Sequence, residues 1–193
     1  GTVAEDAPIV PISAQQGVNI DVLIDAIERE IPTPERDPHA DPEMLVARSF
    51  DINRPGTTWG SLVGGVLGGS LVQGELESDD DLELRPGREV EEGGQTEWVP
   101  GETTVRALQA GGETVDTATP GGLLGVGTGL DPATTKGDAL AGQVAGEPGT
   151  LPPTQHEFTM DVDLLDRIVG QEEGTVDEIS TGEPLMMIVG TAK

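Results

Sequence analysis

A small closed β-barrel held between pieces of two other domains is the architecture this sequence predicts, so the fold class is mainly β. Three observations predict it. Short segments of β-type composition recur through the middle of the chain, MLVARSFDI, GVLGGSLVQGEL, DLELRPG, TTVRALQAG, GLLGVGTGL and DALAGQVAG, separated by Gly, Pro and Asp. Such regularly spaced short strands suit a small barrel. Glycines stand inside the strands at Gly64, Gly65, Gly68 and Gly69, where each costs about 0.5 to 1 kcal/mol against alanine, so they mark bends or close contacts of a coiled sheet. Finally, the proline-rich stretch PTPERDPHADP has no apolar period and reads as a domain boundary.

Residues 1–31 read as the last strand and last helix of an α/β domain. The apolar run at 7–12 is the expected strand, and Asn19 is the expected N-cap of a helix over 20–30. Ile20, Leu23, Ile24, Ile27 and Ile31 recur at helical spacing and predict one buried stripe, with Val18 and Leu23 placed as a hydrophobic staple. That stripe needs a sheet to lie on. The larger part of the domain is therefore expected upstream. Residues 32–42 form an extended, semi-rigid linker, and 43–153 form the barrel. From 154 to 193 the segments FTMDVDLLDRIVG and PLMMIVG alternate apolar and polar positions again, which predicts the start of a second barrel.

The charge balance, 10 Lys+Arg against 36 Asp+Glu and a net charge of -26, would weaken a compact state in ordinary salt through self-repulsion. Disorder is one reading of it. A hydrophobic fraction of 35%, patterned into strands, opposes that reading. The alternative is a folded acidic surface working in concentrated salt, where the Debye length falls to about 3 Å at 1 M. Lysine occurs only at Lys136 and Lys193, as expected where acids replace surface lysines. With no cysteine in the chain, thiolate metal sites and cysteine nucleophiles are excluded from this segment. The longest apolar run, 62–72, is too short and too glycine-rich to span a bilayer.

Few residues suggest reactive chemistry. Asp79, Asp80 and Asp81, and Glu91 with Glu92, lack the spacing of a calcium loop and read as solvated turns. His39 and His156 lie in proline-rich connectors without a nucleophile context. Gly125, Gly127 and Gly129 are not followed by a helix pattern, so they do not form a dinucleotide fingerprint; TGLDPATTKGD reads as a turn. No GxxxxGK[ST] occurs. The segment by itself offers no phosphate cradle and no residue placed to activate water.

The stretch 48–74 carries a more specific signal, in its RSFD, NRPGT and GGVLGGS elements. It resembles domain II of the translational GTPases, and within them the gamma subunits of archaeal and eukaryotic translation initiation factor 2. The likeness runs from PISAQQGVNIDVLIDAIEREIPTPERD to the final VGTAK. The resemblance implies a translation-factor β-barrel (domain II), preceded by the C-terminal strand and helix of a P-loop GTPase domain and followed by the start of domain III. It implies a cytoplasmic GTP hydrolase that requires GTP and Mg2+ in the intact protein and has no membrane partner. The implied partners are initiator methionyl-tRNA, alpha and beta subunits in a heterotrimer, and the small ribosomal subunit.

On this resemblance Ser13, Ala14 and Gln15 form the loop that faces guanine. Arg48 and Arg106 are candidates for the tRNA end, through phosphate pairing or stacking. Ion pairs with nearby acids are the equal alternative for both. Arg54 and Trp59, in the long loop 54–60, are candidates for the alpha subunit; Trp59 packed on its own barrel is the alternative. An acidic chain repels a polyanion, so tRNA recognition would depend on shape, stacking and a few local charges. Two other functions compete: an elongation-type carrier of aminoacyl-tRNA, and a β-barrel adaptor without nucleotide chemistry. The acidic surface yields one test, circular dichroism across a KCl series. Structure should be lost in dilute buffer and regained in molar KCl, and a full β signal without added salt would contradict the screening argument.

Overall fold

The computed structural model describes residues 6–164 and 179–192. Its contacts group into two compact units, one of Arg36–Glu157 with Met186–Lys193, the other of Gly1–Glu35 with Phe158–Leu185. In the second unit a helix, α1 (Ile20–Glu30), occupies the expected span. Its start differs from expectation. Asn19 adopts a left-handed conformation and makes no side-chain cap, because its Nδ2 instead donates to the Pro11 carbonyl at 3.0 Å. Only Ala26 of α1 is buried; Ile20 and Leu23 are half-buried, while Ile24, Ile27 and Ile31 are exposed among the described residues, so the apolar stripe is present but only partly covered. The run at 7–12 has no partner strand among the described residues and forms no strand, since an extended segment becomes one only by pairing.

The first unit is the barrel. Its strands are β1 (Glu43–Phe50), β2 (Val66–Gln73), β3 (Leu76–Glu77), β4 (Asp81–Glu92), β5 (Gln95–Ala110), β6 (Glu113–Val115), β7 (Thr117–Ala118), β8 (Leu124–Thr128) and, after a one-turn helix α2 (Pro132–Thr135), β9 (Val144–Gly146). They pair in the order β4-β9-β1-β2-β8-β5, and β4 pairs again with β5, which closes six strands into a barrel; β6 pairs antiparallel with the end of β5, and β3 pairs with β7 apart. Closure removes the free edges along the barrel wall.

Alternation fills the interior. Met44, Val46, Leu67, Leu71, Leu82, Leu84, Val105, Leu108, Leu124 and Val126 form one buried cluster. Of the glycines in β2 and just before it, three face close neighbours. A Cβ on Gly64 would meet the Thr128 carbonyl oxygen at 1.8 Å, one on Gly65 the Thr135 Oγ1 at 2.2 Å, and one on Gly69 the Leu45 carbonyl oxygen at 2.0 Å. These positions are architectural, as their place in the strand pattern predicts. Gly68 differs: its added Cβ would sit 3.5 Å from Arg48 Cβ, an ordinary contact.

The expected strand positions hold for most of the barrel, but of DALAGQVAG only Val144–Gly146 is a strand, the residues before it forming a 3-10 turn and further turns around Asp138, and one stretch is longer than expected. DLELRPG and TTVRALQAG are parts of two longer strands, joined through EVEEGGQTEWVPGE, whose turn is made at Gly93 and Gly94 with positive φ. The acids of this stretch hid that hairpin from a hydrophobicity reading. Beyond the barrel, 158–164 forms no strand; the rest of the predicted FTMDVDLLDRIVG segment lies outside the described residues. The last residues return to the barrel, where Thr191 Oγ1 donates to the Val46 carbonyl at 2.8 Å.

Thr128 ties the barrel end together. Fully buried, its Oγ1 donates to the Gly65 carbonyl at 2.7 Å and accepts from Leu130 N at 3.2 Å. Thr128→Val removes both bonds and should cost about 1 to 3 kcal/mol in denaturant unfolding, whereas Leu123→Ala, at an exposed site, should stay within about 0.5 kcal/mol. Equal losses would contradict this role.

Candidate functional site

The outer wall of β1, β2, β8 and β5 carries the arrangement with the clearest binding character. Arg48 pairs with Gly68, and Phe50 with Val66. Gly68 pairs in turn with Gly125, and Val66 with Gly127; beyond them Gly125 faces Gln109 and Gly127 faces Ala107. Residues directly opposite one another share a face. Three glycines and Val66 thus floor a shelf across the strands, walled on one side by Arg48 and Phe50 and on the other by Gln109 and Ala107. Spanning three inter-strand steps of about 4.8 Å, it is about 14 Å wide. Phe50 is 39% exposed and its Cε1 lies 3.5 Å from where a Gly68 Cβ would sit, so an aromatic ring borders a floor whose side chain is that of Val66. A flat ring with polar edges fits there, by stacking and backbone contact.

Arg48 is fixed at this shelf. Its Nε lies 2.7 Å from Asp138 Oδ1, and the same oxygen accepts from Ser49 N at 3.1 Å. The Arg48 hydrogen bond first, and the Ser49 amide second, hold the Asp138 carboxyl below the usual carboxylate range. The same pairing raises the Arg48 guanidinium further above its ordinary value. The ion-pair alternative therefore holds for Arg48. Its side chain is nevertheless 68% exposed, leaving the other guanidinium nitrogens open to an incoming anion.

Arg106 stands elsewhere, at the irregularity between Val105 and Ala107 in β5, with Nη1 3.5 Å from Asp79 Oδ1. It too is paired. The two arginines are separated across β2 and β8, so they do not converge on one point.

The long loop before β2 has a braced neck. Asn53 Nδ2 donates to the Val63 carbonyl at 2.9 Å and Val63 N donates to Asn53 Oδ1 at 2.9 Å. Asp51 Oδ1 accepts from both the backbone and side chain of Asn53, and these bonds, the backbone one first, hold its carboxyl below the ordinary range. The neck presents 54–60 as a protruding tip. Arg54 is exposed, its carbonyl accepts from Thr57 N at 3.1 Å, and Trp59 opens a 3-10 turn, Trp59–Ser61. Ile52, Leu62 and Val63 near the neck are about half exposed, which gives the loop an apolar collar suited to an interface.

In the unit that contains α1, Ser13 and Val18 close a tight loop by reciprocal backbone bonds of 3.2 and 3.1 Å, with Gln16 N and Gly17 N donating back inside it. Ala14 and Gln15 are exposed at its tip. Their amides donate to no backbone carbonyl among the described residues, so the loop presents two free donors side by side.

Sequence reasoning singled out Arg48 but missed the shelf it borders. The signal was present in the i, i+2 repeat of Gly125 and Gly127, which puts both on one face of a strand. Asp79 and Asp80 do lie at a turn, where Asp80 Oδ2 accepts from Glu77 N at 2.7 Å, but Asp81 opens β4 and Glu91 and Glu92 close it, because pairing with β5 draws them into the strand. No group of acids and histidines among the described residues is arranged to hold a metal.

The fold is that of a translation-factor barrel. Solved chains of the elongation factor SelB from Methanococcus maripaludis match 74% of this chain and about a quarter of their own length at 23% identity, with TM-scores of 0.52 for the apo form and 0.54 for the complex with the GTP analogue GppNHp. Sequence narrows the class. Residues 156–193 match the family described as initiation factor eIF2 gamma, C terminal. The whole chain is 75% identical to the translation initiation factor 2 subunit gamma of Haloarcula marismortui and 74% identical to that of Natronomonas pharaonis. Against the Methanothermobacter thermautotrophicus subunit the figure is 58% over 99% of the chain. Along its whole length this chain is similar to gamma subunits of translation initiation factor 2, including haloarchaeal ones, and it spans about half the length, 47%, of the relatives it matches.

The Arg48–Asp138 pair has a measurable consequence. A carboxyl held below its ordinary range stabilises the fold above that range and loses the contribution as pH falls through its own lowered value. Asp138→Asn should therefore flatten the acid limb of stability against pH, measured by unfolding in molar KCl. An acid limb that superimposes on the parent's would contradict the coupling.

Proposed function

We propose that this chain is the barrel-centred portion of a GTP-dependent initiation factor subunit that binds methionyl initiator tRNA and delivers it to the small ribosomal subunit. The observation that supports it most is the glycine-floored shelf beside Arg48 and Phe50, in a chain 75% identical to a named gamma subunit. The terminal base of the tRNA would stack on the shelf, and Arg48 would meet the neighbouring phosphate. Arg106 would contact the acceptor end farther along β5. Binding through one platform and a few local charges suits an acidic protein, in which counterion release contributes little.

Ser13, Ala14 and Gln15 would face guanine through the free amides of the loop tip. GTP and Mg2+ would be held mainly by the preceding part of the nucleotide domain, whose sheet would also cover the apolar stripe of α1. Residues 1–31 would then complete that domain, 32–42 link it to the barrel of 43–153, and 154–193 begin the third domain. The braced loop 54–60, with Arg54 and Trp59 at its tip, would engage the alpha subunit, and the beta subunit would complete the trimer. The excess of acids fits a protein that works in concentrated salt. An elongation-type carrier shares the barrel, but 23% identity to an elongation factor against 75% to an initiation subunit favours initiation.

The full-length protein, loaded with GTP, should slow hydrolysis of the methionyl ester of initiator tRNA. Gly68→Val, which fills the shelf, should weaken that protection about tenfold, the value of one lost base stack, and leave GTP affinity unchanged. Undiminished protection would remove the shelf from tRNA binding.

A further inference from the structure

Past the barrel wall, β4 and β5 continue as a two-stranded ribbon in which Arg88 pairs with Val99, Glu89 with Trp98, Val90 with Glu97 and Glu91 with Thr96. On its other side β4 is paired by β9 only at Glu83, Leu84 and Arg85. From Arg88 onward that edge has no strand partner among the described residues. A two-stranded ribbon alone is marginal in water, and an unpaired edge is a template for a further strand.

A second observation points to an occupant. Where β9 leaves off, Gln143 is only 8% exposed, and its Nε2 donates to the Gly87 carbonyl at 2.8 Å. Its Oε1 is buried and has no donor among the described residues. Gln143 lines a cavity of about 670 Å³ that runs along the free edge beside Gly87, Arg88, Glu89, Trp98 and Leu140. An N–H brought into this cavity would satisfy a buried acceptor that is otherwise costly to leave unpaired.

Charge selects what brings it. Cross-strand pairing places Glu89 and Glu91 on the same ribbon face as Trp98, and Trp98 is 38% exposed. Carboxylates along the edge oppose pairing with a second copy of the same edge. They favour lysine or arginine, whose cationic heads gain further from the indole face.

We propose that the free edge of β4 over residues 88–92 accepts an extended segment of a basic protein partner as a third strand. A backbone N–H at one end of that segment donates to Gln143 Oε1, and a lysine or arginine lies over Trp98 between Glu89 and Glu91. This surface is separate from the glycine-floored shelf and from the loop 54–60.

The test uses the whole chain in molar KCl with two capped heptapeptides, TKVKVTK and TEVEVTE, read by amide hydrogen exchange and by the Trp98 indole signal. The basic peptide should slow exchange at alternate residues within 88–92 and shift the Trp98 indole, while the acidic peptide does neither. The double substitution Glu89→Lys with Glu91→Lys should weaken the basic peptide about tenfold or more, with barrel amides still protected as proof of folding. Equal binding of both peptides, or basic-peptide binding without alternate-residue protection, would overturn the proposal. So would edge protection that grows with protein concentration alone, because a second copy would then be the occupant.

Discussion

Close approach of backbone to backbone at positions without side chains is the constraint on which this barrel depends. Gly64, Gly65 and Gly69 face the Thr128 carbonyl, the Thr135 side chain and the Leu45 carbonyl at distances no Cβ could occupy. Because β2 is pressed this closely between β1 and β8, the sheet can coil tightly enough for β4 to reach β5 and close. The interior then needs only the aliphatic residues that alternation supplies. Thr128, Thr135 and Gln143, buried and polar, join strand ends to the turn between β8 and β9.

The same strand serves the surface. Gly68 lies between two packed neighbours in sequence but faces outward, and with Gly125 and Gly127 it leaves a floor on which a planar group can rest. The turn that carries α2 returns to the shelf's border, where Asp138 fixes Arg48. Scaffold and candidate site are thus built from one glycine-rich segment, and a rigid wall rather than a loop positions the binding surface. The protruding loop 54–60 leaves from the same strand pair, held at its neck by Asn53.

Much of this was legible in the sequence. The helix over 20–30 followed from isoleucines at helical spacing, and the barrel strands from alternation punctuated by Gly, Pro and Asp. What escaped did so for physical reasons. Asn19 offered a cap by residue type, yet the Pro11 carbonyl, eight residues back in sequence and invisible to local reasoning, took its side chain. The ribbon of β4 and β5 was hidden because its residues are acidic, and pairing rather than burial makes it a strand. The shelf required register: β1, β2, β8 and β5 must be aligned before Arg48, Gly68, Gly125 and Gln109 fall in one row. The ion pairs of Arg48 and Arg106 depend on contacts far apart in sequence, and no spacing rule announces them.

The central claim is that adjacent glycines of one strand have opposite duties, one closing the barrel and the other leaving its outer wall open. Melting of Gly69→Ala and Gly68→Ala in molar KCl tests this most directly. The account predicts a loss of about 1 to 3 kcal/mol or more for Gly69→Ala, whose methyl would fall against the Leu45 carbonyl, and little change for Gly68→Ala. Equal losses at the two positions, or the larger one at Gly68, would contradict it.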